Sequence, residues 1–167
     1  LTGTEITLGP EMKSTGEVMG RDRSLAKALY KGFVSAKVQM PINKKALVTV
    51  ADRDKGELAA IGRKMVSLGF TLIATAGTAK SLREVGIECK EILKLSESPD
   101  ILNLLINEEV DLVINTITQG KQPQRDGFRI RREAVERGIL CLTSLDTAKA
   151  YLQVVEDRYL WLAPLQA

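Results

Sequence analysis

The amino-acid sequence predicts an α/β fold: a Rossmann-like, three-layer domain with helices on both faces of a five-stranded, mainly parallel sheet. Short, β-branched apolar runs alternate five times with segments of helical periodicity between residues 46 and 155. Glycine follows three of the helical segments, at Gly69, Gly86 and Gly138, where it is a common helix stop. The consecutive apolar run Leu112–Ile114 is typical of a strand covered on both faces. Such alternation favours a parallel sheet with right-handed crossovers.

Each predicted element follows from its own pattern of apolar residues. The runs predicted as strands are Ala46–Val50, Phe70–Ala74, Ile87–Leu93, Val110–Ile114 and Ile139–Leu142. Apolar residues at three- and four-residue spacing predict the helices Glu57–Leu68, Ala79–Val85, one that starts at Ser98, Phe128–Arg137 and one that ends near Val155. We expect Ser98 to cap the third helix with Pro99 in its first turn, and Thr143 or Ser144 to cap the last.

The segments outside this pattern define the expected domain boundaries. Residues 21–40 have helical spacing and are predicted as a linker helix, which Pro41 ends. The α/β domain is expected to span residues 41–157, with residues 158–167 as a C-terminal tail. Because the chain begins with Leu1 rather than Met, we interpret residues 1–20 as the end of a preceding domain or a linker in a longer protein.

Composition excludes several classes of function. Lys and Arg number 24 against 21 Asp and Glu, and a net charge of +3 does not indicate a nucleic-acid partner. The chain has no histidine, which rules out histidine-dependent triads and histidine-containing zinc sites within it. No run approaches a membrane span and no signal sequence opens the chain, so a soluble, cytoplasmic protein without a membrane partner is expected.

The two cysteines indicate neither a metal site nor a disulfide. Cys89 and Cys141 lie in apolar, strand-like runs, and two thiols cannot complete a four-thiolate site. We expect both to be buried, reduced thiols. The sequence therefore predicts no metal in this chain.

The candidate site lies at the carboxyl ends of the strands, where open parallel sheets bind ligands. Cationic, hydroxyl and amide side chains follow the five predicted strands in turn: Lys55 after the first, Thr75 with Gly77 and Thr78 after the second, Lys94 after the third, Asn115 with Thr116 after the fourth, and Thr143 with Ser144 after the fifth. A helix N-terminus at the Thr75–Thr78 loop would favour an anion there. These groups together predict a site for a phosphate ester with polar substituents.

Each of these residues also has a purely structural interpretation. Thr75 and Thr78 could be helix caps, and the lysines could be solvated surface residues. A polar amide that ends an apolar strand must satisfy its donors and acceptor, so we favour a site role for Asn115. Arg131 and Arg132 could bind an anion such as a second phosphate, pair with nearby glutamates, or line a subunit contact.

Two parts of the chain resemble the carbamoyl phosphate synthetase large subunit. The segment LGPEMKSTGEVMG, residues 8–20, resembles the end of its second ATP-grasp half. The motifs TVADRDK, ATAGTAKSL, VINTITQGKQPQRDGFRIRRE and CLTSLDTA, within residues 46–155, resemble its C-terminal allosteric domain, which has the methylglyoxal-synthase-like fold. The third of these motifs is most similar to the pyrimidine-regulated bacterial forms.

The resemblance implies a regulatory domain without catalytic residues of its own. The parent enzyme is a glutamine-hydrolysing ligase that uses ATP with Mg or Mn and works with a glutamine amidotransferase small subunit, often as an oligomer. UMP would inhibit it and phosphoribosyl pyrophosphate would activate it, for pyrimidine and arginine biosynthesis. The effector contacts carried over are Thr49, Lys55, Thr75, Gly77, Thr78, Lys94, Asn115 and Thr116, with Arg131 and Arg132 as additional effector or interface candidates. The family can place a hydroxyl where this chain has Ile117, and Thr116 or Thr118 would have to replace it.

Three other functions share the predicted fold. A methylglyoxal synthase needs a carboxylate base and, in that family, a histidine. This chain has Asp100 within SESPD where that family has a Gly-Gly-Asp signature, and no histidine. A purely oligomerising module would assemble without binding nucleotides. An inosinate cyclohydrolase domain would lack the STGEVMG segment that precedes this one.

Overall fold

The computed structural model describes residues 40–117 and 125–162 of the chain. Five strands and five helices alternate along these residues, as the sequence predicts. The strands are β1 (Lys45–Thr49), β2 (Thr71–Thr75), β3 (Lys90–Ile92), β4 (Leu112–Asn115) and β5 (Leu140–Leu142). The helices are α1 (Lys55–Ser67), α2 (Ala76–Glu84), α3 (Asp100–Ile106), α4 (Arg125–Glu136) and α5 (Leu145–Leu162). The predicted linker helix and the segment 1–20 lie outside the described residues.

All five strands form one parallel sheet in the order β3-β2-β1-β4-β5. The strand order reverses between β1 and β4, where Thr49 is the register partner of Asn115. A crevice opens beyond the carboxyl ends at such a reversal because the two crossovers leave in opposite directions. The predicted three-layer α/β fold is therefore confirmed.

The sheet separates two hydrophobic layers, as expected for strands buried on both faces. One layer packs α1, α2 and α5 against the sheet, with Met65, Leu82 and Tyr151 fully buried. The other packs α3 and α4 against the opposite face, around Leu105 and Ile130. Because β-strand side chains alternate, every second residue of each strand faces the α3/α4 layer.

Several helix boundaries differ from the predictions. Helix α3 begins at Asp100, one residue after Pro99, and the Ser98 hydroxyl accepts the Asp100 N–H at 3.2 Å. Pro99 is thus outside the first turn. The last helix continues past Val155 to Leu162 because Tyr159 extends its packed face, with the Lys44 ammonium 4.6 Å from its ring centroid. Of the two proposed caps, Ser144 accepts the Thr147 N–H at 3.2 Å.

The amino-terminal edge of the sheet is closed by Asp111. Its carboxylate accepts the backbone N–H groups of Asn43, Lys44 and Lys45 at 2.9, 3.1 and 3.1 Å. Asp111 also donates its own N–H to the Lys45 carbonyl at 3.1 Å. These bonds fix the start of β1 against the start of β4.

Both cysteines are free, and Cys141 is buried as predicted, whereas Cys89 is only partly buried. Burial raises the pKa of Cys141 to about 12, although the nearby Arg131 guanidinium opposes that shift. Burial also raises the pKa of the half-buried Cys89. Neither thiol has the lowered pKa of a reactive cysteine.

Candidate functional site

A row of polar residues crosses the carboxyl edge of the sheet on the face covered by α3 and α4. Thr75 on β2 is level with Thr49 on β1, and Thr49 is paired with Asn115 on β4. Thr143, one residue beyond β5, extends the row because Ile114 pairs with Leu142. Alternation places all four on the same face as Leu47, Ile73, Val113 and Cys141 of the α3/α4 layer. We call Thr75, Thr49, Asn115 and Thr143 the polar row.

The centre of the polar row is held by a chain of hydrogen bonds. Asn115, only 5% exposed, donates from Nδ2 to Thr49 Oγ1 in a short hydrogen bond. Its Oδ1 accepts from Arg131 Nη1 at 2.6 Å. Because the Thr49 oxygen already accepts a proton, its own hydroxyl proton is free to donate elsewhere. The buried amide thus has two fixed partners and one remaining N–H.

Arg131 reaches the polar row from the second turn of α4. Its path passes Gly127, where a Cβ atom would lie 2.9 Å from Arg131 Nη1 and 3.3 Å from Asn115 Oδ1. Burial lowers the pKa of the Arg131 guanidinium. The absence of a side chain at position 127 therefore lets a half-buried cation lie against the helix backbone.

Arg132 does not join this cluster. Its Nε lies 3.1 Å from Glu136 Oε1 in an exposed pair one helical turn along. The pairing with a nearby glutamate that was considered for both arginines is thus formed by Arg132, whereas Arg131 contacts Asn115 in the polar row.

The second group of predicted residues surrounds the start of α2. Lys55 Nζ lies beside the first turn of this helix, 3.0 Å from where a Cβ of Gly77 would be. The same ammonium is 2.5 Å from Asp52 Oδ1. This contact lowers the pKa of the Asp52 carboxyl, chiefly through its hydrogen bond with Lys55. Thr75 precedes the helix in extended conformation without a side-chain cap bond. The alternative interpretation of Thr75 as a helix cap is therefore not observed.

Two of the predicted threonines hold the loop after β1. Thr78 is 2% exposed, and its hydroxyl oxygen accepts the Val50 N–H at 3.2 Å. Thr116 is 5% exposed, and its oxygen accepts the Ala51 N–H at 2.7 Å. Both side chains thus fix the backbone between β1 and Lys55. Ile117 contributes only its carbonyl, which accepts from Arg53 Nη2 at 2.9 Å, and Thr118 lies outside the described residues.

Lys94 lies at the outer end of the same edge. It follows β3, in which Ile92 is level with Thr75. The side chain is exposed and forms no ion pair with any residue that the structure describes. The structure therefore places Lys94 on the predicted rim without a contact to the polar row.

Sequence reasoning missed two features of this edge. Asp52 was not recognised as the partner of Lys55, although its three-residue separation is a usual spacing for ion pairs. Thr143 was predicted both at this edge and as a possible helix cap, but the sequence did not indicate that its Oγ1 is buried with no hydrogen-bond partner among the described residues. Its place in the polar row depends on β5 lying next to β4, which the sequence does not specify.

The described residues contain neither a group of acidic or sulfur ligands able to hold a metal ion nor a helix long and apolar enough to span a bilayer. The polar groups at the carboxyl edge are of the kinds that bind anions. Ammonium, guanidinium, hydroxyl and backbone N–H groups gather where the strand order reverses. The fold and this edge define a Rossmann-like α/β domain with a candidate site for an anionic, polar ligand.

Comparison with known families identifies the class of domain. The profile of the MGS-like domain matches residues 57–143, more than half of the chain. The chain belongs to the MGS-like domain family. The matched region runs from α1 through β5 and includes most of the polar row.

One solved structure similar to this chain supports the fold assignment. Methylglyoxal synthase from Elizabethkingia anophelis NUHP1 superposes with a TM-score of 0.57 at 21% sequence identity, covering 68% of this chain and 79% of that one. ForH has a TM-score of 0.48 at 19% identity, with 72% and 81% covered. The likeness to methylglyoxal synthase agrees with the MGS-like fold.

Proposed function

We propose that the chain is the allosteric domain of a glutamine-hydrolysing carbamoyl phosphate synthase large chain. In this proposal it binds UMP as an inhibitor and phosphoribosyl pyrophosphate as an activator, and tunes carbamoyl phosphate synthesis for pyrimidine and arginine biosynthesis. The observation that carries it is the gathering of Lys55, the first turn of α2, Asn115 and Arg131 at one sheet edge. The motif resemblance in residues 8–20 and 46–155 supports this parent enzyme among MGS-like proteins.

The effector phosphate is assigned to the first turn of α2. Backbone N–H groups at a helix N-terminus favour an anion, and the Lys55 ammonium already lies beside Gly77. Lys94 would add charge from the next strand. The Thr49 hydroxyl proton and the remaining Asn115 N–H are the donors left for the ribose or base.

Thr78 and Thr116 act indirectly in this arrangement. Each has its hydroxyl oxygen engaged by a backbone N–H of the loop that leads to Lys55. They would therefore position the lysine rather than supply an acceptor to the ligand, although each hydroxyl proton is still free to donate.

Regulation requires a second property besides binding. An effector shifts an equilibrium only when its affinity differs between two states of the protein. Coupling of about 1 to 3 kcal/mol would change apparent substrate affinity about 5- to 150-fold. The chemistry, with its ATP and metal ions, is assigned to the rest of the large subunit and to the amidotransferase small subunit, so this domain is proposed to be non-catalytic. The proposed location is the cytoplasm.

A methylglyoxal synthase activity is the alternative suggested by the fold. That reaction needs a carboxylate positioned as a general base. Asp100, the candidate base, is an exposed residue in the first turn of α3, and the chain has no histidine to assist it. Release of methylglyoxal from dihydroxyacetone phosphate by this chain would favour the lyase over the regulatory domain.

Calorimetric titration with UMP, phosphoribosyl pyrophosphate and IMP tests the proposal. We expect saturable binding of the first two, weakened by salt because charge attraction is screened. Lys55→Met should lower UMP affinity about tenfold or more, since hydrogen bonds to charged groups contribute about 1.5 to 3 kcal/mol. Lys90→Met is the matched control, because Lys90 is an exposed lysine at the amino end of β3.

Two results would contradict the proposal. Absence of both binding heat and thermal shift with each nucleotide would leave the oligomerising module as the better interpretation. Equal loss of affinity in the Lys55 and Lys90 variants would show that the phosphate does not bind at the start of α2.

A further inference from the structure

Exposed apolar side chains gather at the amino edge of the sheet. Helices that connect parallel strands run back along them, so the carboxyl ends of the helices lie at this edge. Of the seven large apolar residues that are exposed in the described part of the chain, five lie there: Ile42, Val66, Val85, Ile106 and Leu160. Single exposed apolar residues are common, but a group of them at one end of a domain is typical of a contact surface. We call these five residues the amino-edge surface.

The centre of the amino-edge surface lies around Lys44. The Lys44 ammonium is 4.6 Å from the centroid of the Tyr159 ring, near the end of α5. The same side chain reaches Gly69, two residues beyond α1, where a Cβ atom would lie 3.4 Å from Lys44 Cδ. The ends of α1 and α5 therefore lie on either side of this lysine, and Ile42 is two residues before it. Because Ile42 is 86% exposed and Leu160 is 64% exposed, no described residue covers this place.

Unpaired carboxylates surround the same edge. Arg83 and Arg137, which also lie there, already have glutamate partners at 3.0 and 2.9 Å. Other glutamates close in sequence to the ends of α2 and α3 are exposed and form no ion pair with any described residue: Glu84, Glu88, Glu108 and Glu109. A partner that covers this edge should therefore be both apolar and basic.

The chain that precedes the described residues has this composition and enters at this edge. Residues 21–39 have apolar residues at helical spacing, and five basic residues against one acidic residue. Met40 packs against the α1, α2 and α5 layer, and Pro41 is buried, so the chain reaches β1 along the amino edge. A helix over residues 21–39 would be about 28 Å long, whereas five strands about 4.8 Å apart span about 19 Å. The segment is thus long enough to cross the edge.

We propose that residues 21–39 dock on the amino-edge surface as an amphipathic helix. Its apolar side packs on Ile42, Val66 and Leu160, and its basic residues face the unpaired glutamates. The apolar contact supplies most of the stabilisation, because ion pairs between exposed groups contribute little. This inference does not depend on the proposed function, since it uses no residue of the carboxyl edge.

Methyl-labelled NMR of the full chain tests the contact directly. Phe33 belongs to the apolar stripe of residues 21–39. We expect nuclear Overhauser effects between the Phe33 ring and the methyl groups of Ile42, Val66 or Leu160. Such effects report distances of about 5 Å or less, so they require the segment to lie on the surface.

A matched pair of variants measures what the contact contributes. Phe33→Asp places a charge within the apolar stripe, whereas Val34→Asp places the same charge outside it, about 100° further around a helix. We expect Phe33→Asp to abolish the Overhauser effects and to lower Tm by roughly 4 °C or more. Val34→Asp should keep the effects and lower Tm by less than roughly 2 °C.

A second pair of variants tests the charge attraction if Phe33→Asp fails to fold. Glu84→Lys removes one of the unpaired carboxylates, and Glu97→Lys changes an exposed glutamate on the loop after β3, at the carboxyl edge. We expect weaker Overhauser effects from Phe33 in Glu84→Lys than in Glu97→Lys at low salt. The difference should shrink at high salt, because exposed charges are screened.

Two results would overturn the proposal. One is the absence of effects between Phe33 and all three methyl groups, together with equal Tm values for Phe33→Asp and Val34→Asp. The other is the appearance of these effects only between differently labelled chains in a mixed sample. In that case a second copy of the chain, rather than the preceding segment of the same chain, covers the amino-edge surface.

Discussion

The two edges of the sheet use charged residues in opposite ways. At the amino edge the Asp111 carboxylate accepts three backbone N–H groups, so its charge is matched within the chain. At the carboxyl edge Lys55 pairs with the exposed Asp52, but the one hydrogen bond of Arg131 to a described residue goes to a neutral amide, and Lys94 has no ion-pair partner in that part of the chain. Both edges join β1 to β4. The comparison indicates that internally matched charge holds the fold together, whereas unmatched charge is available for a ligand.

The largest expected effect is a loss of stability at the amino edge of the sheet, with almost no change in nucleotide binding. Asp111→Ala should lower the free energy of unfolding by about 3 kcal/mol, because three N–H groups lose a charged acceptor. Urea denaturation measures the loss, and Asp111→Asn should recover part of it. Nucleotide affinity of the folded variant should stay within about twofold of wild type; a large change there would break the distinction between the edges.

The next effect concerns binding at the carboxyl edge. Lys94→Ala should weaken effector binding by about 1.5 to 3 kcal/mol if the ammonium meets the phosphate directly. Stability should change little, since the side chain is exposed and without an ion pair in the described part of the chain. Calorimetry of Lys94→Ala and of the control variant Lys90→Ala measures both the effector affinity and the stability. Unchanged effector affinity in Lys94→Ala would place the phosphate away from β3.

A smaller effect is expected from Asp52, the carboxylate that pairs with Lys55. Asp52 Oδ1 lies 2.5 Å from Lys55 Nζ and would compete with an incoming anion. Asp52→Asn should therefore tighten UMP binding about two- to fivefold, a modest gain because the pair is at the surface. Titration at low and high salt should show the gain shrinking with ionic strength. Weaker binding in this variant would mean that Asp52 helps to hold Lys55 in place.

The smallest effect is a pH dependence of stability at the start of α5. Burial raises the pKa of Asp146, with Glu57 and Asp54 adding to the shift and Lys149 opposing it. The folded state then holds the proton more tightly than the unfolded state. The ionised carboxylate therefore costs stability as pH rises through the folded pKa. Asp146→Asn should raise Tm at pH 7 by an amount on the order of 1 °C. The gain in Tm should vanish toward pH 3. A gain in Tm that does not depend on pH would show that the raised pKa of Asp146 is not its cause.

Local patterns were sufficient to predict the elements and the sheet edge at which the polar candidate residues gather. Apolar periodicity predicted five strands and five helices, because β1, β2, β4 and β5 have buried residues facing both layers and each helix has one packed side, whereas β3 is an exposed edge strand. The start of α3 was misplaced by one residue because the Ser98 hydroxyl bonds to the N–H of Asp100, two residues on. Such competition between local turns and helix caps is decided by small energies.

The partners within the site could not be predicted from the sequence. Arg131 and Arg132 are adjacent and chemically identical, and only the orientation of α4 against β4 decides which one meets Asn115. The polar row likewise depends on the strand order, which brings Thr75, Thr49, Asn115 and Thr143 side by side from four separate segments. These are non-local relationships, and periodicity describes only neighbours along the chain.

Gly127 lets helix α4 approach the centre of the polar row closely. A Cβ atom there would lie 2.9 Å from Arg131 Nη1 and 3.3 Å from Asn115 Oδ1, so the end of the arginine side chain would have to shift. Alanine at position 127 should therefore lengthen the hydrogen bond between Arg131 and Asn115 and leave the fold unchanged. The link between this helix and the end of β4 thus depends on a residue that has no side chain.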